Sequence, residues 1–88
     1  MKTYLGTLGL QETWQHPFEE IIDCVHCNAP SRVAFVAAEG NILEGSYICD
    51  LHENKIASGG SFWVHDVTAT AVYFCTKCCK ATAVFNQA

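Results

Sequence analysis

Three short motifs share one internal spacing: Cys24-Val-His-Cys27, Cys49-Asp-Leu-His52 and Cys75-Thr-Lys-Cys78. Two residues lie inside each motif, 21 residues separate the first motif from the second, and 22 separate the second from the third. Each motif follows apolar residues, as is typical of a strand that ends in a tight turn. A two-residue gap lets one turn aim two ligands at a common point, and such a turn is a zinc knuckle. Two knuckles complete a tetrahedron, so the sequence predicts a metal-stapled fold.

Length and composition favour one small domain that needs such a staple. With 88 residues the chain has room for a single hydrophobic core. Half of the residues are apolar and 16% are charged, which excludes the composition of a disordered chain. Six cysteines far exceed ordinary usage, and domains of this size commonly require disulfides or a metal. We therefore predict a single zinc-binding domain over residues 1–88, with residues 1–16 as an ordered arm or an edge strand.

Zinc is the favoured staple. The opening sequence MKTYLGTLGL lacks an apolar run of signal-peptide length, so we expect a cytoplasmic protein in which disulfides are rare. Disulfides would also leave the Cys49-x-x-His52 pair unexplained. A dithiol redox centre, with Cys79 as a resolving thiol beside Cys78, is a competing interpretation. Iron is disfavoured because the glycine and proline typical of iron knuckles are missing. The candidate zinc ligands are Cys24, Cys27, Cys49, His52, Cys75 and Cys78.

Six paired ligands exceed the four that one ion needs, which leaves two serious assignments. In the first, the pairs at 24/27 and 49/52 share an ion; in the second, the pairs at 24/27 and 75/78 do so. Lengthening the enclosed segment from 21 to 47 residues costs only about 0.7 kcal/mol, so loop closure does not decide between them. Loop-length priors favour the first assignment. A second ion is an alternative, and it would draw on Cys75, Cys78, Cys79 and one of His16, His26 or His65.

The pattern of apolar residues predicts a β-rich, zinc-ribbon-like antiparallel sheet with zinc knuckles and at most one short helix. Residues 31–38 and 42–48 flank Glu39-Gly40-Asn41 and are interpreted as a hairpin. Residues 18–23 suit a helical turn or a strand entering Cys24, and residues 61–74 suit one long or two short strands. Alternation within the latter indicates a strand with both faces largely covered. Residues 81–85 form either a last strand or a short helix.

The segment from Cys24 to Pro30, followed by a hairpin and Ser46-Tyr-Ile-Cys49-Asp-Leu-His52, resembles zinc-ribbon and treble-clef modules of bacterial proteins. The resemblance covers residues 24–52. It implies a structural zinc and a binding role, and it names no partner. The glycine that usually follows the second cysteine is replaced by Asn28, a residue that adopts a left-handed backbone less easily than glycine.

Charge and motifs exclude several functions. The formal net charge of −4 gives no overall attraction toward nucleic acid or anionic lipid, and no apolar stretch has the length to span a bilayer. His52 is followed directly by Glu53, which fails the H-x-E motif of zinc deaminases, and no second histidine completes the H-E-x-x-H motif of zincins. We therefore expect a non-enzymatic structural zinc module that acts as a protein-interaction or regulatory adaptor.

Two alternatives remain at this point. The first is a nucleic-acid-binding zinc ribbon that uses Arg32, Lys77 and Lys80, although three basic residues are few for that role. The second is a thiol redox or metal-sensing protein in which Cys78 and Cys79 respond to oxidation. Oligomeric state is not addressed by the sequence.

Overall fold

The computed structural model of the chain describes residues 2–38 and 68–87. These residues form five strands and one 3-10 helix: β1 (Lys2–Leu5), the 3-10 helix (Gly6–Gly9), β2 (Ile21–Asp23), β3 (Pro30–Ala38), β4 (Thr68–Phe74) and β5 (Ala81–Gln87). All five strands belong to one sheet with the order β1-β3-β4-β5, and β2 also pairs with β3. Every pairing is antiparallel. The predicted small, β-rich antiparallel fold is confirmed.

Strand β3 is the centre of the sheet and has neighbours along both edges. β1 pairs with its second half and β2 with its first half, whereas β4 runs along the opposite edge, with a bulge between Val33 and Phe35. The hairpin prediction gave residues 31–38 a different partner, residues 42–48. Those residues lie outside the described ranges, and the described partners of β3 are β1, β2 and β4.

Two hairpins carry the first and third cysteine motifs at their tips. One hairpin joins β2 to β3 through residues 24–29, and the other joins β4 to β5 through residues 75–80. Because Arg32 at the start of β3 pairs with Phe74 at the end of β4, both tips lie at the same end of the sheet. Residues 21–23 are therefore a strand entering Cys24, and residues 81–87 are the last strand, which decides both alternatives left open by the sequence.

The hydrophobic core lies on one face of the sheet. Its buried members are Phe18, Val33, Val36, Ala69, Ala71 and Tyr73, with Leu10, Ile22 and Ala38 packed against them. Within β4 the only exposed residue is Phe74, in agreement with the predicted covering of this strand. The Tyr73 hydroxyl donates a hydrogen bond of 2.6 Å to the Glu19 carbonyl. Burial, followed by the Glu19 charge, raises the pKa of Tyr73, so this side chain stays neutral and remains a donor at neutral pH.

Among the residues described, no helix has the length and hydrophobicity needed to cross a membrane. The 3-10 helix packs against the sheet. The helix backbone lies close to β1 and β3, because Gly9 at the end of the helix is buried and carries no side chain.

Gly9→Ala tests this close packing. A Cβ atom at position 9 would lie 2.7 Å from the Tyr4 Cβ and 2.8 Å from the Val36 Cβ, so the helix would have to move away from the sheet. We expect the free energy of unfolding to fall by about 1 to 3 kcal/mol, measured by urea denaturation. Gly6→Asn is the matched control, since Gly6 has φ 58°, no atom lies within 4 Å of an added Cβ, and asparagine tolerates this conformation. Equal stability of the two variants would contradict the packing described.

Candidate metal centre

The first knuckle is a tight turn that begins where β2 ends. The Cys24 amide donates to the Ala29 carbonyl, and the Asn28 amide donates to the Cys24 carbonyl, both at 2.8 Å. Asn28 has φ 61°, in the left-handed region. Asparagine is one of the few residues other than glycine that adopts this conformation readily. The asparagine that replaces the usual glycine of zinc ribbons therefore meets the same backbone requirement.

The turn over residues 75–80, called the second knuckle from here on, repeats this geometry with different residues. The Cys75 amide donates to the Lys80 carbonyl at 3.0 Å, and the Cys79 amide donates to the Cys75 carbonyl at 2.9 Å. Cys79 has φ 57° and is exposed, so it occupies the position that Asn28 holds in the first knuckle. The consecutive cysteines thus have separate places: Cys78 turns toward the other knuckle, and Cys79 forms the left-handed corner of the turn.

Four sulfur atoms converge between the two knuckles. The Cys24 and Cys78 Sγ atoms are 3.6 Å apart, and the Cys27 and Cys75 Sγ atoms are 3.5 Å apart. All four lie within 4.8 Å of one another. A tetrahedron with zinc–sulfur bonds of about 2.3 Å has sulfur–sulfur edges of about 3.8 Å. The arrangement therefore fits a single tetrahedrally bound metal ion, and the five described cysteines are free of disulfides.

The thiols of the cluster differ in how readily they ionise. Hydrogen bonds from the Cys78 amide, and then from the Lys77 amide, outweigh burial and lower the pKa of Cys75 to about 6. Burial opposes ionisation of Cys24, but the amides of His26 and Cys27 prevail and lower its pKa. Burial raises the pKa of Cys78 to about 12, and hydrogen bonds with the side chains of Cys24, Cys75 and Cys27 act in the same direction. Complete deprotonation of the cluster therefore needs a cation at its centre, and metal uptake releases protons.

The knuckles also contact each other outside the sulfur cluster. The Val25 amide donates to Thr82 Oγ1 at 3.2 Å, which connects the first knuckle to β5. The His26 ring, at Nε2, donates to the Ala81 carbonyl at 3.1 Å. His26 is exposed and its ring is engaged with this backbone group, so it is not part of the described cluster.

The structure brings together four of the six ligands that the sequence predicts. Cys24, Cys27, Cys75 and Cys78 form the cluster, which is the second of the two predicted assignments. Cys49 and His52, which complete the first assignment, lie outside the described residues, as does His65. Sequence reasoning treated Cys79 as an adjacent thiol or a ligand of a second ion. Aligning Cys79 with Asn28, five residues into each motif when the first cysteine is counted as one, would have shown its place in the turn.

Comparison of the chain with protein families, with curated proteins and with solved structures finds no match. The likeness to zinc-ribbon and treble-clef modules therefore stays a prediction from residues 24–52.

Replacing the adjacent cysteines one at a time separates a ligand from a turn residue. Cys78→Ser removes one of the four sulfurs, so we expect it to lose bound zinc during dialysis and to melt at a lower temperature. A loss of even 2 kcal/mol corresponds to about 8 to 16 °C in a domain of this size. Cys79→Ser, the matched control, should keep its zinc and its melting temperature to within a few degrees. Zinc content is measured by atomic emission, and loss of zinc from the Cys79 variant alone would contradict the cluster.

Proposed function

We propose that this chain is a structural, non-enzymatic zinc module that acts as a protein-interaction or regulatory adaptor. One Zn²⁺ ion is held by Cys24, Cys27, Cys75 and Cys78, the second of the assignments open to the sequence. The observation that carries the proposal is the convergence of four sulfurs, two from each hairpin tip, at spacings close to the edges of a zinc tetrahedron.

The donor set favours a structural role for the metal. Thiolates are soft ligands, and a tetrahedral site made of four sulfurs is typical of zinc or of iron–sulfur centres. Four protein ligands leave no open position for a water molecule or a substrate, whereas catalytic zinc sites keep one position free. The ion would therefore hold the protein together and take no part in a reaction.

The size of the core supports a dependence of folding on the metal. Within residues 2–38 and 68–87, the buried hydrophobic cluster contains six side chains, and two of them are alanines. So small a cluster contributes little stability against the conformational entropy of the chain. Zinc in comparable sites contributes about 10 to 16 kcal/mol near neutral pH. The ion would join two hairpin tips and so stabilise the whole described sheet.

An apolar surface on the sheet supports a protein partner. Leu5, Ile21 and Phe74 are 70%, 48% and 55% exposed. Leu5 pairs with Phe35, which pairs with Val72, and Ile21 pairs with Arg32, which pairs with Phe74. Residues opposite each other on neighbouring strands share a face, so these side chains lie on one face, turned away from the core. Exposed apolar patches of this kind typically mark interaction sites.

Zinc content measured beside a titration of free thiols tests the ligand set. We expect one zinc per chain and two cysteines open to alkylation in the native protein, namely Cys49 and Cys79. Alkylation in denaturant with a chelator is the control and should reach all six cysteines. One zinc with three reactive cysteines would instead support the ligand set of Cys24, Cys27, Cys49 and His52. A chain that stays metal-free and equally well ordered in chelator, with reduced thiols, would contradict the proposal.

Binding to nucleic acid separates the adaptor from the alternative zinc ribbon. The chain carries a formal charge of −4, and a zinc ion with four thiolates adds about −2. We therefore expect no binding to DNA or RNA oligonucleotides, followed by fluorescence anisotropy at low salt. A protein that neutralised phosphates would lose affinity steeply as the salt concentration rises. Such a dependence for the zinc-loaded chain would favour the nucleic-acid-binding role.

A further inference from the structure

The two knuckles repeat one another over eight residues, from 24 to 31 and from 75 to 82. Equivalent positions carry the first cysteine, the second cysteine and the left-handed residue, as described above for Asn28 and Cys79. Each repeat ends in a buried hydroxyl on the strand that leaves the knuckle. Ser31 on β3 is 1% exposed, and Thr82 on β5 is 3% exposed.

The two hydroxyls differ in their hydrogen bonds. Thr82 Oγ1 accepts the amide of Val25, the first residue inside the opposite knuckle, at 3.2 Å. Ser31 Oγ is fully buried and has no hydrogen-bond partner among the described residues. A buried polar group without a partner costs about 1 to 3 kcal/mol, and such groups are rare in native proteins. We therefore expect the Ser31 hydroxyl to have a hydrogen-bond partner in the functional state of the protein.

The register of the sheet indicates where that partner lies. Arg32 pairs with Phe74, so continuing the pairing by one residue places Ser31 level with Cys75, next to Thr76. Thr76 is the first residue inside the second knuckle and is thus the counterpart of Val25. The counterpart of the hydrogen bond between the Val25 amide and Thr82 would therefore join the Thr76 amide to Ser31.

We propose that Ser31 is a positioning residue of the metal centre, whose hydroxyl accepts the Thr76 amide when an ion occupies the cluster. This inference rests on the proposed zinc site. Thr82 and Ser31 then have one role, each fixing the first amide of the knuckle that faces it. In the second knuckle, the following amides, those of Lys77 and Cys78, hydrogen-bond the Cys75 sulfur. Holding Thr76 orients these two donors toward the sulfur.

Zinc affinity of Ser31 variants tests the proposal. Groups that orient metal ligands typically contribute 10- to 100-fold to metal affinity, so Ser31→Ala should bind zinc about 10- to 100-fold more weakly in competition with a chromophoric chelator. Ser31→Thr keeps the hydroxyl and should restore the affinity. Thr70→Val is the matched control, because Thr70 Oγ1 is the other buried hydroxyl without a partner among the described residues, and it lies in the middle of β4. Its removal should leave zinc affinity unchanged.

Hydrogen exchange of the Thr76 amide in the zinc-loaded wild-type protein gives a second measurement that does not depend on any variant folding. We expect this amide to be protected with zinc bound, and Ser31→Ala to lose the protection. Fast exchange in the loaded wild type, or an unchanged zinc affinity of Ser31→Ala, would overturn the role of Ser31 and leave the zinc site intact. A wild-type chain that takes up no zinc overturns the proposed function together with this inference.

Discussion

The pairing of β3 with β4 is the constraint on which the rest of the structure depends. Each of the two described cysteine motifs is local to its own hairpin, and neither of these hairpins contributes more than two sulfurs to the cluster. The pair between Arg32 and Phe74 places the two hairpin tips at the same end of the sheet. Only then do the sulfurs approach to 3.5 and 3.6 Å. The chemistry of the cluster is thus a consequence of strand register.

That register brings together thiols that would repel one another once ionised. Amide donors in the knuckles favour the charged forms of Cys24 and Cys75, whereas burial favours the neutral form of Cys78. Without a cation, the cluster is a set of partly ionised thiols with unequal proton affinities. A divalent ion bound by the four sulfurs would replace the protons and remove the conflict between burial and charge. Folding of the sheet and uptake of a metal ion by the cluster would therefore be linked.

The sequence allowed the local features of this structure to be predicted. Apolar residues before Cys24 and Cys75 indicated strands ending in knuckles, and the strands are there. Asn28 was noted as a departure from the glycine of the resembling modules, and its φ of 61° shows that it adopts the left-handed backbone all the same. These predictions succeed because they depend on residues close together in the chain.

Which two of the three cysteine motifs come together could not be predicted from the sequence in the same way. Loop-closure entropy differs by only about 0.7 kcal/mol between the two assignments, and long-range strand register has no local signature around Cys75. The position of Cys79 at the left-handed corner of its turn could have been predicted by aligning the two cysteine motifs, which places Cys79 opposite Asn28, but this comparison was missed. The partner of β3 was also missed, because an adjacent β-rich segment is the usual neighbour of a strand and here β4 is separated from β3 by residues 39–67.

The cysteine cluster lies at one end of the sheet, and β3 ends and β4 begins at the other. From the Arg32–Phe74 pair to the Ala38–Ala69 pair, β3 extends by about 20 Å. A residue inserted at the end of β3 or at the start of β4 would thus enter the sheet about 20 Å from the sulfurs. The Arg32–Phe74 end of the sheet, which positions the knuckles, is thereby separated from changes at the Ala38–Ala69 end.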